Sequence, residues 1–160
     1  MAKVKSTDAD IILIGGWAKD VGRIVKQAKE LGIDENFVSL AGGIGHEVID
    51  IAGEAADEKI IYVVEFDTES EEENSVEFRR KYLEEYGEKP DVFSAMGYDA
   101  IHIVLKILEK CGEYSECIKD ELYLVQDYHG VSGIISFDEY GDVHKEMNYV
   151  TIRDGEFVKY

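Results

Sequence analysis

Asp10-Ile-Ile-Leu-Ile-Gly-Gly-Trp17, followed by apolar residues at helical spacing as far as Gly32, is the stretch that decides the fold. Ile11–Ile14 is a short β-branched run that predicts a buried strand, and the glycine pair after it ends that strand. In parallel α/β proteins, small ligands bind at the carboxyl ends of strands. Trp17 comes just past such an end, so its flat apolar ring is predicted to form one surface of a small-molecule site.

The same pattern repeats along the first 64 residues. Phe37–Leu40 and Ile60–Val64 predict two further strands, with a helix around Val48 and Ala52 between them. A βαβαβ order implies a parallel sheet with right-handed crossovers. We therefore predict an α/β fold, a three-layer α/β/α arrangement with a mainly parallel sheet. Beyond Glu65 the pattern predicts helices near residues 75–86, 92–108 and 115–125, then strands at residues 131–137, 148–153 and 156–160.

Composition limits the classes of function. The 160 residues are 45% hydrophobic, enough for a globular core, and carry a formal net charge of −18. That charge argues against nucleic-acid binding, which needs clustered Lys and Arg, and against docking on anionic membranes. Residues 1–10 lack a signal-peptide core, so we expect either a cytosolic protein or a targeting segment outside this sequence.

Two cysteines, Cys111 and Cys117, lie six positions apart. This spacing is compatible with a small disulfide across a turn between two helices, which would indicate an oxidising compartment. Two ordinary thiols are an equally good interpretation of the sequence. Neither cysteine has a histidine nearby in sequence, so no metal site is predicted.

The loop Gly42-Gly43-Ile44-Gly45 lies between a predicted strand and a predicted helix. It could be a phosphate loop, but the full dinucleotide pattern is absent and no Lys or Arg stands beside it. A tight turn that lets a ligand approach the backbone is the better interpretation. An enzyme using residues 42–46 is the weakest hypothesis, because the sequence offers no nucleophile system; we predict no catalytic residue, no metal and no cofactor.

Several blocks together resemble a known family. They are Gly15-Gly-Trp-Ala-Lys-Asp-Val-Gly-Arg-Ile-Val-Lys-Gln-Ala-Lys-Glu-Leu-Gly32, Ile51-Ala-Gly-Glu-Ala-Ala56, Phe78-Arg-Arg-Lys-Tyr-Leu-Glu-Glu-Tyr-Gly-Glu-Lys-Pro90, Ala95-Met-Gly-Tyr-Asp-Ala100, Gly130-Val-Ser-Gly-Ile-Ile-Ser-Phe-Asp-Glu-Tyr-Gly-Asp142 and Ile152-Arg-Asp-Gly-Glu-Phe157. In order and spacing this sequence resembles the C-terminal half of type I periplasmic binding proteins, specifically the branched-chain amino acid receptors of ABC importers.

The resemblance implies a division of the chain. Such receptors have two α/β lobes joined by three crossing strands, with the ligand bound non-covalently in the interlobe cleft. Residues 1–65 would form part of the second lobe, residues 66–145 a helical and hairpin segment of the first lobe, and residues 146–160 strands that return to the second lobe. The family's N-terminal portion, with its signal peptide and its groups for the ligand carboxylate, has no counterpart here.

The resemblance also implies ligand-binding positions. Trp17 matches the position where the family places an aromatic ring against the ligand. Ala41 falls near the position where amino acid receptors often place an acid for the ligand ammonium, and Gly42 and Gly43 would line the cleft. Tyr98-Asp99 matches a helix motif to which we assign packing and helix placement.

The partners follow from the same resemblance. We expect an amino acid ligand, bound weakly or not at all by this half, and an ABC permease in the full-length context, on the extracellular or periplasmic face. The helix over residues 92–108 would expose apolar surface, which soluble monomers avoid, so we expect a homodimer, with the segment after Glu65 as a candidate for exchange. The alternative is a ligand-free oligomeric module derived from a binding-protein half.

Overall fold

The computed structural model describes residues 1–160, which divide into two units. Unit 1 consists of Met1–Val64 and Asn148–Tyr160, and unit 2 consists of Glu65–Met147. The chain therefore leaves unit 1 once, builds unit 2 and returns to finish the sheet of unit 1.

Unit 1 is built on a five-stranded sheet of order β1-β2-β3-β7-β8. Its strands are β1 (Ile11–Ile14), β2 (Asn36–Leu40), β3 (Ile60–Val64), β7 (Asn148–Arg153) and β8 (Glu156–Lys159). The first three are mutually parallel, whereas β7 is antiparallel to both β3 and β8. Consequently β8 runs in the same direction as β1–β3, and four of the five strands point one way. The α/β class is confirmed, with a mixed sheet.

One face of this sheet carries the core of unit 1. Helices α1 (Ala18–Glu30) and α2 (His46–Ala52) pack against each other, and α1 buries Val21, Val25 and Ala28 at helical spacing. These side chains join a single apolar cluster with the inward residues of β1–β3. The opposite face is open, because the outward side chains Ile11, Leu13 and Leu40 are more than half exposed.

Unit 2 combines three helices with a small antiparallel sheet. Its elements are α3 (Glu73–Tyr86), α4 (Val92–Cys111), α5 (Ser115–Tyr123), β4 (Tyr128–Gly130), β5 (Gly133–Phe137) and β6 (Val143–Lys145). The sequence predicted a strand at residues 131–137, and β5 confirms it with a start at Gly133. Val131-Ser132 forms the turn between β4 and β5, because Asp99 takes both of their backbone N–H groups out of the ladder. The short strands β4 and β6 were not predicted.

Helix α4 is the longest element of the chain. Asp91 caps its first turn by accepting a hydrogen bond from the Ser94 N–H at 2.8 Å. At the other end, a disulfide joins Cys111 to Cys117 with Cα atoms 5.7 Å apart, which ties α4 to the start of α5. No helix combines the length and the apolar character needed to cross a membrane.

Candidate ligand-binding site

Trp17 and the loop after β2 lie together at the carboxyl edge of the unit 1 sheet. The indole is 70% exposed and covers Gly42, where a notional Cβ would be 3.5 Å from Cζ3 of the ring. Adjacent parallel strands end at the same edge, and the pairing of Ile14 with Ser39 sets the register that aligns these two loops. Two of the four predicted ligand-binding positions, Trp17 and Gly42, are therefore neighbours, close enough that a methyl group on Gly42 would touch the ring.

A buried serine fixes the backbone beneath the indole. The Ser39 hydroxyl is fully buried and donates to the Ile14 carbonyl at 3.3 Å, so it links the last residues of β1 and β2. Gly43 packs directly on this serine. A notional Cβ there would overlap the Ser39 Oγ and lie 2.9 Å from Cγ2 of Val21, closer than carbon atoms approach without displacement. Gly43 thus has a packing role under the loop.

Ala41 turns partly inward, against the core of unit 1. An acid does lie near this loop, at a position the sequence did not single out. The Glu47 carboxylate in the first turn of α2 reaches back over Gly45, where a notional Cβ would be 2.8 Å from Oε2 and 2.9 Å from the Ala18 Cβ. The only sequence signal for Glu47 is its place in the first helical turn after a glycine loop.

In unit 2, Asp99 is the buried residue of the motif Tyr98-Asp99. Its carboxylate is 1% exposed and accepts the Val131 N–H at 2.7 Å, the Ser132 N–H at 2.9 Å and the Ser132 hydroxyl. Gly130 packs on the same carboxylate, because a notional Cβ would lie 2.5 Å from Oδ2. Asp99 therefore positions the β4–β5 turn.

Lys145 completes this cluster by donating from Nζ to the Ser132 hydroxyl at 2.5 Å. Burial lowers the pKa of the Lys145 ammonium, while the negative charges of Asp99 and Glu65 act in the opposite direction. The Glu65 Oε2 is buried with no hydrogen-bond partner. These groups form an internal polar cluster that packs the hairpin onto α4.

A groove of about 990 Å³ in unit 2 was missed by the sequence analysis. Its walls come from α3, α4 and the β4 strand, and it is rich in aromatic side chains: Phe78, Tyr82, Tyr86, Tyr98 and Tyr128. Most of these rings stack on one another, with centroids 4.6 to 5.7 Å apart for Tyr82–Tyr86, Phe78–Tyr98 and Phe78–Tyr82. Aromatic residues at helical spacing are expected both in a buried core and in a surface groove, so the spacing alone did not reveal this groove.

A glycine-rich strand edge beneath one exposed aromatic ring, on a sheet that the chain leaves and re-enters, is the geometry of an α/β protein of two units. The comparison with known families gives the same class. The family model described as "Periplasmic binding protein" matches residues 1–156, and the chain belongs to this family.

The relatives narrow the class to the type I fold. A leucine-binding protein from Thermotoga maritima superimposes with a TM-score of 0.88 at 28% identity, covering 99% of this chain and 46% of that one. A branched-chain amino acid transporter substrate-binding protein from Streptococcus pneumoniae, solved with isoleucine, gives 0.80 at 32% identity, covering 99% and 47%. The resemblance to the type I periplasmic binding proteins is thus confirmed.

A curated relative is also named as an amino acid-binding protein. The leucine-, isoleucine-, valine-, threonine- and alanine-binding protein of Pseudomonas aeruginosa is 25% identical over 145 residues. That alignment covers 89% of this chain and 38% of the relative. The chain therefore spans well under two thirds of the proteins it matches, and its family is one of substrate-binding rather than catalytic proteins.

Proposed function

We propose that this chain is a solute-binding component of an ABC importer for branched-chain or related amino acids or amides. The ligand binds non-covalently, in the interlobe cleft that the resemblance implies, with Trp17 and Gly42 on one wall and with Ala41 and Gly43 supporting that wall from beneath. The observation that carries the proposal is the exposed indole held over Gly42 in a glycine-rich loop. Unit 1 corresponds in this proposal to the second lobe and unit 2 to part of the first.

The chemistry of this wall suits an aliphatic side chain. An exposed indole offers a flat apolar surface, and burying a leucine-sized group contributes about 1.5–3 kcal/mol. The wall offers no cation for the ligand carboxylate. We therefore expect weak binding by this chain alone, with a permease as the partner of the complete receptor and the periplasmic or extracellular face as its location.

Calorimetric titration of the chain with leucine, isoleucine and valine tests the proposal. We expect dissociation constants well above micromolar, lost in Trp17→Ala and retained in the control Leu124→Ala, which changes an exposed side chain of unit 2. A sub-micromolar constant would contradict weak binding by one wall. No heat at millimolar ligand, or equal binding by Trp17→Ala, would contradict the site.

Glu47 is our candidate for the ligand ammonium, in place of the acid absent at Ala41. Its carboxylate lies at the Gly45 turn beside the start of α1, immediately after Trp17. Glu47→Gln should weaken leucine binding several-fold and leave unchanged the binding of 4-methylpentanoate, which has no ammonium group. Equal losses for both ligands would assign Glu47 to the structure of the loop.

The exposed apolar residues of α4 favour a second function, self-association into a homodimer. Such a dimer is compatible with solute binding by unit 1. It is also the form expected if the chain acts as an oligomeric module without ligand. The ligand titration and a measurement of molecular mass therefore test the two functions separately.

A further inference from the structure

Helix α1 carries a row of cations on the face opposite its core residues. Lys19, Arg23 and Lys26 follow i, i+4, i+7 spacing, so they lie in one line along the helix. All three side chains are exposed, whereas Val21 and Val25 on the other side are buried in the core of unit 1. We call these three cations the α1 cation row.

The α1 cation row differs from many other cations of the chain in its lack of acidic partners. Five cations elsewhere are held 2.6 to 2.8 Å from an acid, in the pairs Lys59–Asp34, Arg80–Glu84, Lys81–Glu77, Lys110–Glu121 and Arg153–Glu58. In the row, only Arg23 has an ion pair, with Asp20 at 3.7 Å, and both of those side chains are more than half exposed. Lys19 and Lys26 make neither an ion pair nor a hydrogen bond.

Helix α1 is also a positive element on a negative molecule. The helix contains four basic and two acidic side chains, whereas the whole chain has a formal net charge of −18. A patch of one sign on a surface of the opposite sign attracts groups that the rest of the molecule repels. Such a patch therefore sets the orientation of a partner, and the surface complementary to it is acidic.

The chemistry of the α1 cation row keeps it at a surface. This chain spans only 46% of the Thermotoga maritima structure, and further chain would cover apolar faces. It would not cover three cations with apolar side chains, because burying an unpaired charge is strongly unfavourable. The flank of α1 is already occupied by α2, since a notional Cβ on Gly22 would be 3.1 Å from the Ile51 Cβ.

The position of the α1 cation row relates it to the candidate ligand-binding site. Trp17 is the N-cap residue of α1, so the row begins in the first turn of the helix, near the carboxyl edge of the sheet, on the outer side of unit 1. A protein that receives the ligand from this site approaches that edge. In the function proposed above, that protein is the permease.

We propose that the α1 cation row is a docking surface for an acidic surface of the permease. This inference rests on the proposed function and names the part of unit 1 that meets its partner. Exposed charge pairs contribute more to orientation and association rate than to affinity, so the docking is expected to be weak and sensitive to salt. An anionic bilayer is a less favourable occupant, because it would repel the rest of a chain with a net charge of −18.

Co-sedimentation of the chain with membrane vesicles from the cells that encode it measures docking. Lys19→Glu and Lys26→Glu should each weaken binding about fivefold, because each replaces an attraction by a repulsion. Lys89→Glu is the matched control, since it makes the same charge change at an exposed position of unit 2, and it should stay within about twofold of wild type. Raising NaCl from about 50 mM to about 300 mM should narrow the difference between wild type and Lys26→Glu.

Three further measurements identify the occupant. Treating the vesicles with trypsin before the chain is added should abolish binding, and liposomes of phosphatidylglycerol and phosphatidylcholine in equal parts should not bind. Carbodiimide coupling followed by mass spectrometry should join Lys19 or Lys26 to an Asp or Glu of an integral membrane transport protein. Binding that survives trypsin, or equal binding to the liposomes, would make the partner a lipid surface and overturn the proposal.

The outcomes separate docking from solute binding. No binding to the vesicles at about 100 µM chain, or equal binding by Lys26→Glu and Lys89→Glu, would overturn the α1 surface and leave the leucine titration of Trp17 unaffected. Docking that depends on the α1 cation row in a chain that binds no leucine would support this surface and contradict solute binding. Circular dichroism of each variant checks that lost docking does not reflect a lost fold.

Discussion

The two units hold their loops in place by the same device at different strengths. In unit 1 the buried Ser39 hydroxyl makes a 3.3 Å hydrogen bond, and Gly43 packs on it. In unit 2 the buried Asp99 carboxylate accepts three hydrogen bonds, and Gly130 packs on it. A charged acceptor with several donors stabilises more than a single neutral bond. The hairpin turn of unit 2 should therefore be the more firmly held, and the ligand loop of unit 1 the more adaptable.

The largest expected effect is on Asp99. Asp99→Asn keeps the shape of the side chain but replaces one carboxylate oxygen by an NH₂ group. That NH₂ group faces hydrogen-bond donors of the β4–β5 turn, which are then left without an acceptor. We therefore expect unit 2 to lose about 3 kcal/mol of stability. Ser39→Ala should cost unit 1 only about 1 kcal/mol. Hydrogen exchange, measured by mass spectrometry on peptides from each unit, measures the loss of stability in each unit separately. Equal losses, or protection lost in unit 1 on changing Asp99, would break the comparison.

The second-largest expected loss of stability comes from a substitution at Gly43. Gly43→Ala forces a Cβ against the Ser39 Oγ and Val21, and we expect unit 1 to lose about 2–3 kcal/mol. The neighbouring Gly42→Ala is the matched control, because its Cβ would stand at ordinary contact distance from Trp17. In a Ser39→Ala background the Gly43→Ala loss should shrink by about 1 kcal/mol, since the overlapping oxygen is gone. Urea unfolding of the four chains measures this coupling, and strict additivity would refute the packing role.

The disulfide comes third and acts on unit 2 alone. Replacing Cys111 and Cys117 together by Ser removes a constraint on a short loop, and should cost about 2 kcal/mol. Reducing agent should lower the stability of the wild-type chain by a similar amount and leave the double variant unchanged. If reduction changes neither chain, the thiols are unpaired in solution.

The periodicity of apolar residues and the glycines that follow the strands predicted most of unit 1 from sequence, because its strands alternate with helices and their ends meet at one edge of the sheet. The same local signals located Trp17 and the loop after β2. They missed the β4–β5 turn, since the residue that makes it, Asp99, lies about thirty positions earlier in the chain. They missed Glu47 for a related reason: its approach to the Gly45 turn depends on how α2 starts, which no spacing rule encodes. Local sequence patterns do not predict polar contacts between residues that are far apart in the chain.

The smallest effect has the opposite sign and sharpens the contrast between the units. Tyr62 on β3 is fully buried, and its hydroxyl has no hydrogen-bond partner, whereas every oxygen of Asp99 is used. The ring packs edge-on against Phe157 with centroids 5.7 Å apart, a contact that phenylalanine preserves. Tyr62→Phe should therefore stabilise unit 1 by about 1 kcal/mol, because it removes a polar group that was desolvated without compensation. Tyr149→Phe, on the exposed face of the same sheet, should stay within about 0.5 kcal/mol of wild type in urea unfolding. A loss of stability in Tyr62→Phe would mean that this hydroxyl is hydrogen-bonded in solution, and that the contrast with Asp99 does not hold.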